Sequence, residues 1–333
     1  MTVCGIIKGV SFRFFTVMRT RFALLILVLA LVPVGAGAQY DVHFTHYWEV
    51  DNFFNPAAMN KNHQLNIVGS YSKQFAGYIN SPGAMYVGAN TVIPLGEEHH
   101  SIGFCLMNEG IGLFNHRRMV LNYAFKLKLK KGSLNIGAQL GLMNEKFRSS
   151  ELDVIDPDDP AFPTGDESGS GFDLGAGLYY QHSIFYLGAS AQHLNSPTVT
   201  YGKGNGKNAE LVIKPSLYFQ GGCNIRLRNP LLSVQPGVQV SSDLGTIRCD
   251  ITLRGTYQYQ ENSFYGGFSY CPGTSVTFLV GGRVKKVLVG YAYEMFTNGI
   301  GAQNGSHDIL LGYSMDVDFF KKGKNLHKSV RYL

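Results

Sequence analysis

Few stretches of this chain carry residues suited to chemistry, and each lacks a partner that the chemistry requires. Gly202-Lys203-Gly204-Asn205-Gly206-Lys207 has the glycines and lysines of a phosphate-cradling loop. Such a loop needs G-x-x-x-x-G-K-[ST] between a strand and a helix, but here Asn208 follows the lysine and no strand-to-helix pattern surrounds it. His43 and His46 stand three apart and His99 and His100 are adjacent, without the H-E-x-x-H or paired Cys/His spacing of a metal site. Asp156-Pro157-Asp158-Asp159-Pro160 offers the oxygens that calcium prefers, but not at the spacing of an EF-hand. It reads as a solvated, proline-stiffened part of an acidic connection. No G-x-S-x-G is present and no two carboxylates form an obvious acid and base pair. The residues therefore give no reason to propose an enzyme, a cofactor or a metal.

A different set of charges is patterned. In 246–257, Ile247, Cys249, Ile251, Leu253 and Tyr257 share one parity, and Arg248, Asp250, Thr252, Arg254 and Thr256 share the other. Arg283 and Glu294 stand in similar runs. Successive strand residues point to opposite faces, so such a run has one apolar and one charged face. A basic side chain facing the bilayer midplane costs about 2–4 kcal/mol. In a membrane-spanning sheet, Arg248, Asp250, Arg254, Arg283 and Glu294 must face a lumen, with the apolar row facing lipid. Both signs occur together, which predicts ion-paired filling as much as an open channel.

The elements that must hold these charges repeat along the chain. Val120 to Met143 is the clearest. Leu121, Tyr123, Phe125, Leu127 and Leu129 alternate with Asn122, Ala124, Lys126 and Lys128. After Lys130-Lys131-Gly132-Ser133, Leu134, Ile136, Ala138, Leu140 and Leu142 alternate with Asn135, Gly137, Gln139 and Gly141. Each arm is about ten residues, enough for a tilted strand to cross a bilayer core. Fourteen candidate strands follow from this pattern: 64–74, 84–93, 101–108, 117–129, 134–145, 172–181, 184–193, 211–226, 231–241, 246–257, 263–271, 275–284, 286–295 and 307–319. The expected fold is all-β, a transmembrane outer-membrane barrel of about fourteen antiparallel strands. Pro215 and Pro236 fall inside two of the runs and cannot donate to a ladder.

Composition agrees. The chain has 40 glycines, 19 tyrosines and 22 phenylalanines, with only 16% charged residues. This suits a sheet that meets lipid outside and is crowded inside. The net charge of +6 is spread over turns and the tail, giving no argument for nucleic acid. Cys105, Cys223, Cys249 and Cys271 lie in or at the ends of strand-like runs with no C-x-x-C pair, and read as small apolar residues.

Residues 1–38 read as a leader with an upstream extension. Met18-Arg19-Thr20-Arg21, the apolar run to Val34 and Ala36-Gly37-Ala38 fit a signal peptide cleaved near Ala38, with Met18 as the start. A single anchoring helix is the rival reading, though the run is short for a span. Residues 39–62 form an aromatic lead-in containing the sole tryptophan, Trp48. They would plug the barrel in part or pack against its periplasmic rim. The barrel is expected over 63–320, followed by a basic periplasmic tail, 321–333. With both termini periplasmic, the outer connections are 75–83, 109–116, 146–171, 194–210, 242–245, 272–274 and 296–306. The inner ones are 94–100, 130–133, 182–183, 227–230, 258–262 and 285. Most long connections fall in the outer set, the asymmetry of outer-membrane barrels. The inner side gathers Lys130, Lys131, Arg226, Arg228, Lys285 and Lys286. Trp48, Lys321, Lys322, Lys324 and Arg331 are the candidate contacts for a partner.

Several blocks, in order, resemble the PorP/SprF family of the Bacteroidota type nine secretion system. They include His43-Phe44-Thr45-His46-Tyr47-Trp48, Phe54-Asn55-Pro56-Ala57-Ala58, and Lys73-Gln74-Phe75-Ala76-Gly77 with Ser81-Pro82. Asn108 to Phe114, Asp159 to Pro163, Phe172 to Tyr180, and Phe185 to Gly188 with His193-Leu194 continue the likeness. Ser306-His307-Asp308-Ile309 and Lys328 to Leu333 complete it. Family members often carry an arginine and a tryptophan where this chain has Lys73 and Phe75. The resemblance implies an outer-membrane component of the secretion and gliding machinery. It implies periplasmic partners like the PorK/PorN ring and the peptidoglycan-binding PorE, and, for SprF-like members, help to secreted adhesins. It supplies no catalytic residues. The alternative is an outer-membrane channel for small solutes, apolar ones included.

Overall fold

Alternation decides the architecture, because a sheet with one charged and one greasy face must close around the charged one when lipid lies outside. The computed structural model describes residues 41–59, 64–95, 98–151, 165–201, 209–297 and 304–317. The expected leader 1–38, the expected tail 321–333 with Lys321, Lys322, Lys324 and Arg331, the glycine-lysine run 202–207 and Asp156 to Pro160 lie outside those residues.

The strands are β1 (Gln64–Lys73), β2 (Gly83–Leu95), β3 (Glu98–Ile111), β4 (Phe114–Leu129), β5 (Gly132–Phe147), β6 (Glu167–Gln181), β7 (Phe185–Gln192), β8 (Thr198–Tyr201), β9 (Ala209–Val212), β10 (Ser216–Cys223), β11 (Ile225–Arg226), β12 (Leu232–Ser242), β13 (Ile247–Tyr259), β14 (Asn262–Cys271), β15 (Ser275–Val284), β16 (Val287–Phe296) and β17 (Ser306–Asp316). Each stave pairs antiparallel with its sequence neighbour, and β1 pairs with β17, which closes the ring. Because β11 continues β10 along β12, the described strands make a closed antiparallel barrel of fourteen staves.

The hairpin around Val120 to Met143 is the longest pair, β4 with β5, with Phe114 opposite Phe147 and Leu129 opposite Gly132. Leu121, Tyr123, Ile136, Leu140 and Leu142 are exposed on the outer wall, whereas Asn122, Asn135 and Gln139 are buried inside. The same inversion runs through Val287, Val289 and Tyr291, and through Ile309, Leu311 and Tyr313. No described helix is long and apolar enough to cross a membrane; the strands do the crossing.

Three expectations need correction. The run 211–226 is not one strand. Ala209–Val212 pairs with Thr198–Tyr201 in a separate hairpin, and the stave starts at Ser216, after Pro215 breaks the ladder. The connection expected over 109–116 shrinks to Gly112 and Leu113, because Asn108 pairs with Arg117 and Ile111 with Phe114. Gly112 takes positive φ there, the backbone such a tight reversal needs. The connection expected over 94–100 likewise gives way to paired residues on both sides, with Leu95 opposite Glu98. Pro236 is accommodated differently. It stands across from the break between β10 and β11, so its missing N–H leaves no gap in an otherwise continuous ladder.

Candidate functional site

The lumen is occupied by the chain's own residues 41–59. A segment without regular hydrogen bonds can be buried only if its polar backbone groups find partners. Here the staves supply them. Asn122 of β4 donates to the Asn52 carbonyl at 2.8 Å, and Gln192 of β7 to the Phe53 carbonyl at 2.6 Å. Ser190 donates to the Phe54 carbonyl at 2.7 Å, and Asn135 of β5 to the Ala57 carbonyl at 3.0 Å. The Thr45 amide donates to Asp308 at 3.0 Å. Asn55 ties the segment to itself and to the wall: its side chain accepts from the Ala57 amide and donates to the Leu178 carbonyl.

Shape supports the same placement. Phe44, Phe53 and Phe54 pack edge-on to one another and against Tyr86 and Tyr218 from opposite walls. A single helical turn, Asp51–Phe54, turns Asn52, Phe53 and Phe54 into the interior, where all three are buried. Where the segment presses closest, the wall carries glycine. A Cβ at Gly137 would lie 2.5 Å from the Ala57 amide nitrogen, and one at Gly177 would collide with the Asn55 side chain.

Charge completes the docking in two layers. Near the rim with the long connections, His193 lies one residue past β7 and bridges Asp41 of the plug, at 3.2 Å, to Asp173 of β6, at 3.0 Å. Arg118, buried, donates to Asp173 at 2.8 Å and to Gln192, and lies over the Phe53 ring. Tyr218 donates to the other oxygen of Asp41. Burial disfavours the imidazolium, but the Asp41 carboxylate and the bond to Asp173 outweigh it and raise His193 to about 9.

The charges singled out in sequence are placed as follows. Arg248 donates to Asp250 at 2.9 Å and to Glu294 at 3.0 Å, with His43 of the plug 3.8 Å from Asp250. Arg254 lies over the Trp48 ring, 3.8 Å from its centroid. Arg283 approaches Glu49 at 3.5 Å. All five are on the inner wall: Asp250, Arg254 and Arg283 meet the plug, and Arg248 joins Glu294 to Asp250. His46 meets Trp48 at a tilt and Tyr265 edge-on, inside the lumen and away from any ligand-like cluster among the described residues. The four described cysteines are free thiols.

Trp48, Glu49 and Asp51 form a floor at the rim with the short turns. On one side of them is a cavity of about 340 Å³, reached past Tyr186 and Arg254. On the other is one of about 280 Å³, edged by Arg283, Lys285 and Lys286. Trp48 lines both.

Sequence reasoning missed Arg118, Asp173, His193 and Asp41. The parity rule that selected Arg248 would also have selected Arg118 and Asp173, since they face inward on β4 and β6. Asp41 and His193 carry no such signal, because neither lies on a strand.

A family model described as type IX secretion system membrane protein PorP/SprF matches residues 36–313. The chain belongs to that family. The PorP/SprF barrel also resembles solved outer-membrane barrels in outline. The toluene transporter TodX of P. putida is 12% identical, with 81% of this chain and 94% of that one covered at a TM-score of 0.48. The TodX deltaS2S3 mutant monoaromatic hydrocarbon channel is 12% identical, covering 83% and 95% at 0.49. The translocator domain of the autotransporter NalP from Neisseria meningitidis is 12% identical, covering 78% and 90% at 0.43. No curated protein matches the chain significantly.

Proposed function

We propose that this PorP/SprF barrel is a closed outer-membrane anchor of the type IX secretion and gliding machinery. It couples a PorK/PorN-like periplasmic ring and a PorE-like peptidoglycan-binding protein to the membrane, and so assists delivery of secreted or surface proteins. The observation that carries this reading is the plug. Side chains from β4, β5, β7 and β17 hold residues 41–59, so a force applied at the periplasmic mouth is shared by staves all round the ring. A pore for solutes would need that space empty. The floor of Trp48, Glu49 and Asp51, with Lys285 and Lys286 at the lip, offers apolar and charged contacts to a periplasmic partner.

The test is site-specific photo-crosslinking in cells. A crosslinker at Lys286, on the mouth, should capture the ring lipoprotein. One at Leu244, in the turn at the opposite rim, should not. Deleting 321–333 should lower recovery of the same partners. Equal capture from both positions, or none from Lys286, would remove the periplasmic anchoring role.

A further inference from the structure

Across the outer wall of β3 to β6 runs a polar row set directly above an apolar one. Asn108 pairs with Arg117, Arg117 with Asn144, and Asn144 with Ser170. The row beneath is Leu106, Met119, Leu142 and Phe172, again direct partners. The level of this boundary can be placed. On β4 the outward positions are apolar from Met119 to Leu129, which at ~3.3 Å per residue is about 33 Å of strand. Tilted by roughly 40°, that is about 25 Å of height, the apolar band of an outer-membrane barrel. Arg117 therefore stands at headgroup level, on the side of the long connections.

Arg117 is also built to receive an anion. Its Nε donates to Asn108 at 3.1 Å and to Asn115 at 3.0 Å, which fixes the plane of the guanidinium. Its two terminal amino groups have no protein partner among the described residues. The neighbouring cations differ: Lys146 is paired with Asp166 and Arg148 with Glu151. Below Arg117 the wall is dented by a groove of about 730 Å³, lined by Met85, Val87, Leu106, Met119 and Leu142. A fixed guanidinium fork matches a phosphate with two parallel bonds, and a groove of this size accepts acyl chain.

We propose that Arg117 and the groove beneath it form a site for a phosphorylated lipid of the outer leaflet, with the phosphate on the guanidinium and an acyl chain against Met85, Val87, Leu106, Met119 and Leu142. Asn144 and Ser170, bonded to each other at 3.0 Å, extend the polar lip. The site fixes which stretch of wall holds lipid tightly, independently of what the periplasmic mouth binds.

The purified full-length barrel in neutral detergent is titrated with diphosphoryl lipid A, or with its dephosphorylated form, and retained lipid is counted by native mass spectrometry. The wild type should hold the phosphorylated form about tenfold more tightly. Arg117→Gln should abolish that preference. Asn144→Asp keeps the arginine but sets a carboxylate beside it, and should abolish the preference equally. It answers the question if Arg117→Gln fails to fold, as judged by heat-modifiable mobility. Arg226→Gln, a cation elsewhere on the barrel, should leave the preference intact. Retained preference in a folded Arg117→Gln or Asn144→Asp barrel, or none in the wild type, would overturn the site. Displacement of the lipid by an equal concentration of inorganic phosphate would overturn it too, since the groove would then contribute nothing.

Discussion

The guanidinium of Arg254, from stave β13, lies over the indole of Trp48, from the plug, 3.8 Å from the ring centroid. This contact joins the one tryptophan of the chain to a charge that could not have faced lipid. A cation over an aromatic face contributes about 0.5–2 kcal/mol, more as water is excluded. Trp48→Ala and Arg254→Gln should each lower the urea midpoint of the folded barrel. The double variant should lose about 1 kcal/mol less than the two losses added together. Strict additivity would mean that the stacking does not hold the plug.

Close approach gives a second expectation. Gly137 leaves room for the Pro56-Ala57 backbone, with a Cβ there only 2.6 Å from the Pro56 carbonyl carbon. Overpacking of this kind costs about 1–3 kcal/mol, and the cheapest relief is to displace the plug rather than the stave. Gly137→Val should expose Phe53 and Phe54 to added chymotrypsin while the barrel keeps its heat-modifiable mobility. Unchanged resistance in a folded variant would place the plug elsewhere.

Arg118 and Asp173 are both buried and bonded at 2.8 Å. Removing one member of such a pair strands the other charge and costs about 3–5 kcal/mol. Arg118→Gln and Asp173→Asn should each destabilise the barrel strongly in urea. The double variant should be less impaired than either single one. Two mild single effects would show that water reaches this layer.

How much of this was legible in the sequence depends on strand parity. The staves around Leu121, Ile136 and Ile251 could be read because the bilayer forbids charge on one face, so an alternating run fixes its own orientation. The interior placing of Arg248 and Arg254 follows from that constraint. The division at Pro215 was not legible, because the apolar run Leu211-Val212-Ile213 reads as strand as readily as Leu217 and Phe219 do, and only pairing separates the hairpin from the stave. The plug was legible as aromatic and irregular, but not its path. That path depends on Asn122, Asn135, Ser190 and Gln192, whose parity says inward and whose partners are unpatterned backbone carbonyls.

His193 makes the plug sensitive to pH. Its value is raised from near 6.5 to about 9 by Asp41 and Asp173, against burial and against Arg118. A raised histidine stabilises the folded state fully below its unfolded value and loses that contribution as pH climbs through the folded one. The wild-type barrel should therefore lose stability between about pH 6.5 and 9, by at most roughly 3 kcal/mol. His193→Gln should flatten the profile across that window. A wild-type thermal midpoint constant from pH 6 to 9 would contradict this role for the bridge.

The closed state itself can be measured in planar lipid bilayers. The wild-type barrel should insert without steady ohmic conductance, because residues 41–59 fill the lumen, and deletion of 41–59 from a barrel that still folds should produce conducting steps. A wild-type barrel that conducts as well as the deleted one would contradict the occluded lumen on which the anchoring role rests.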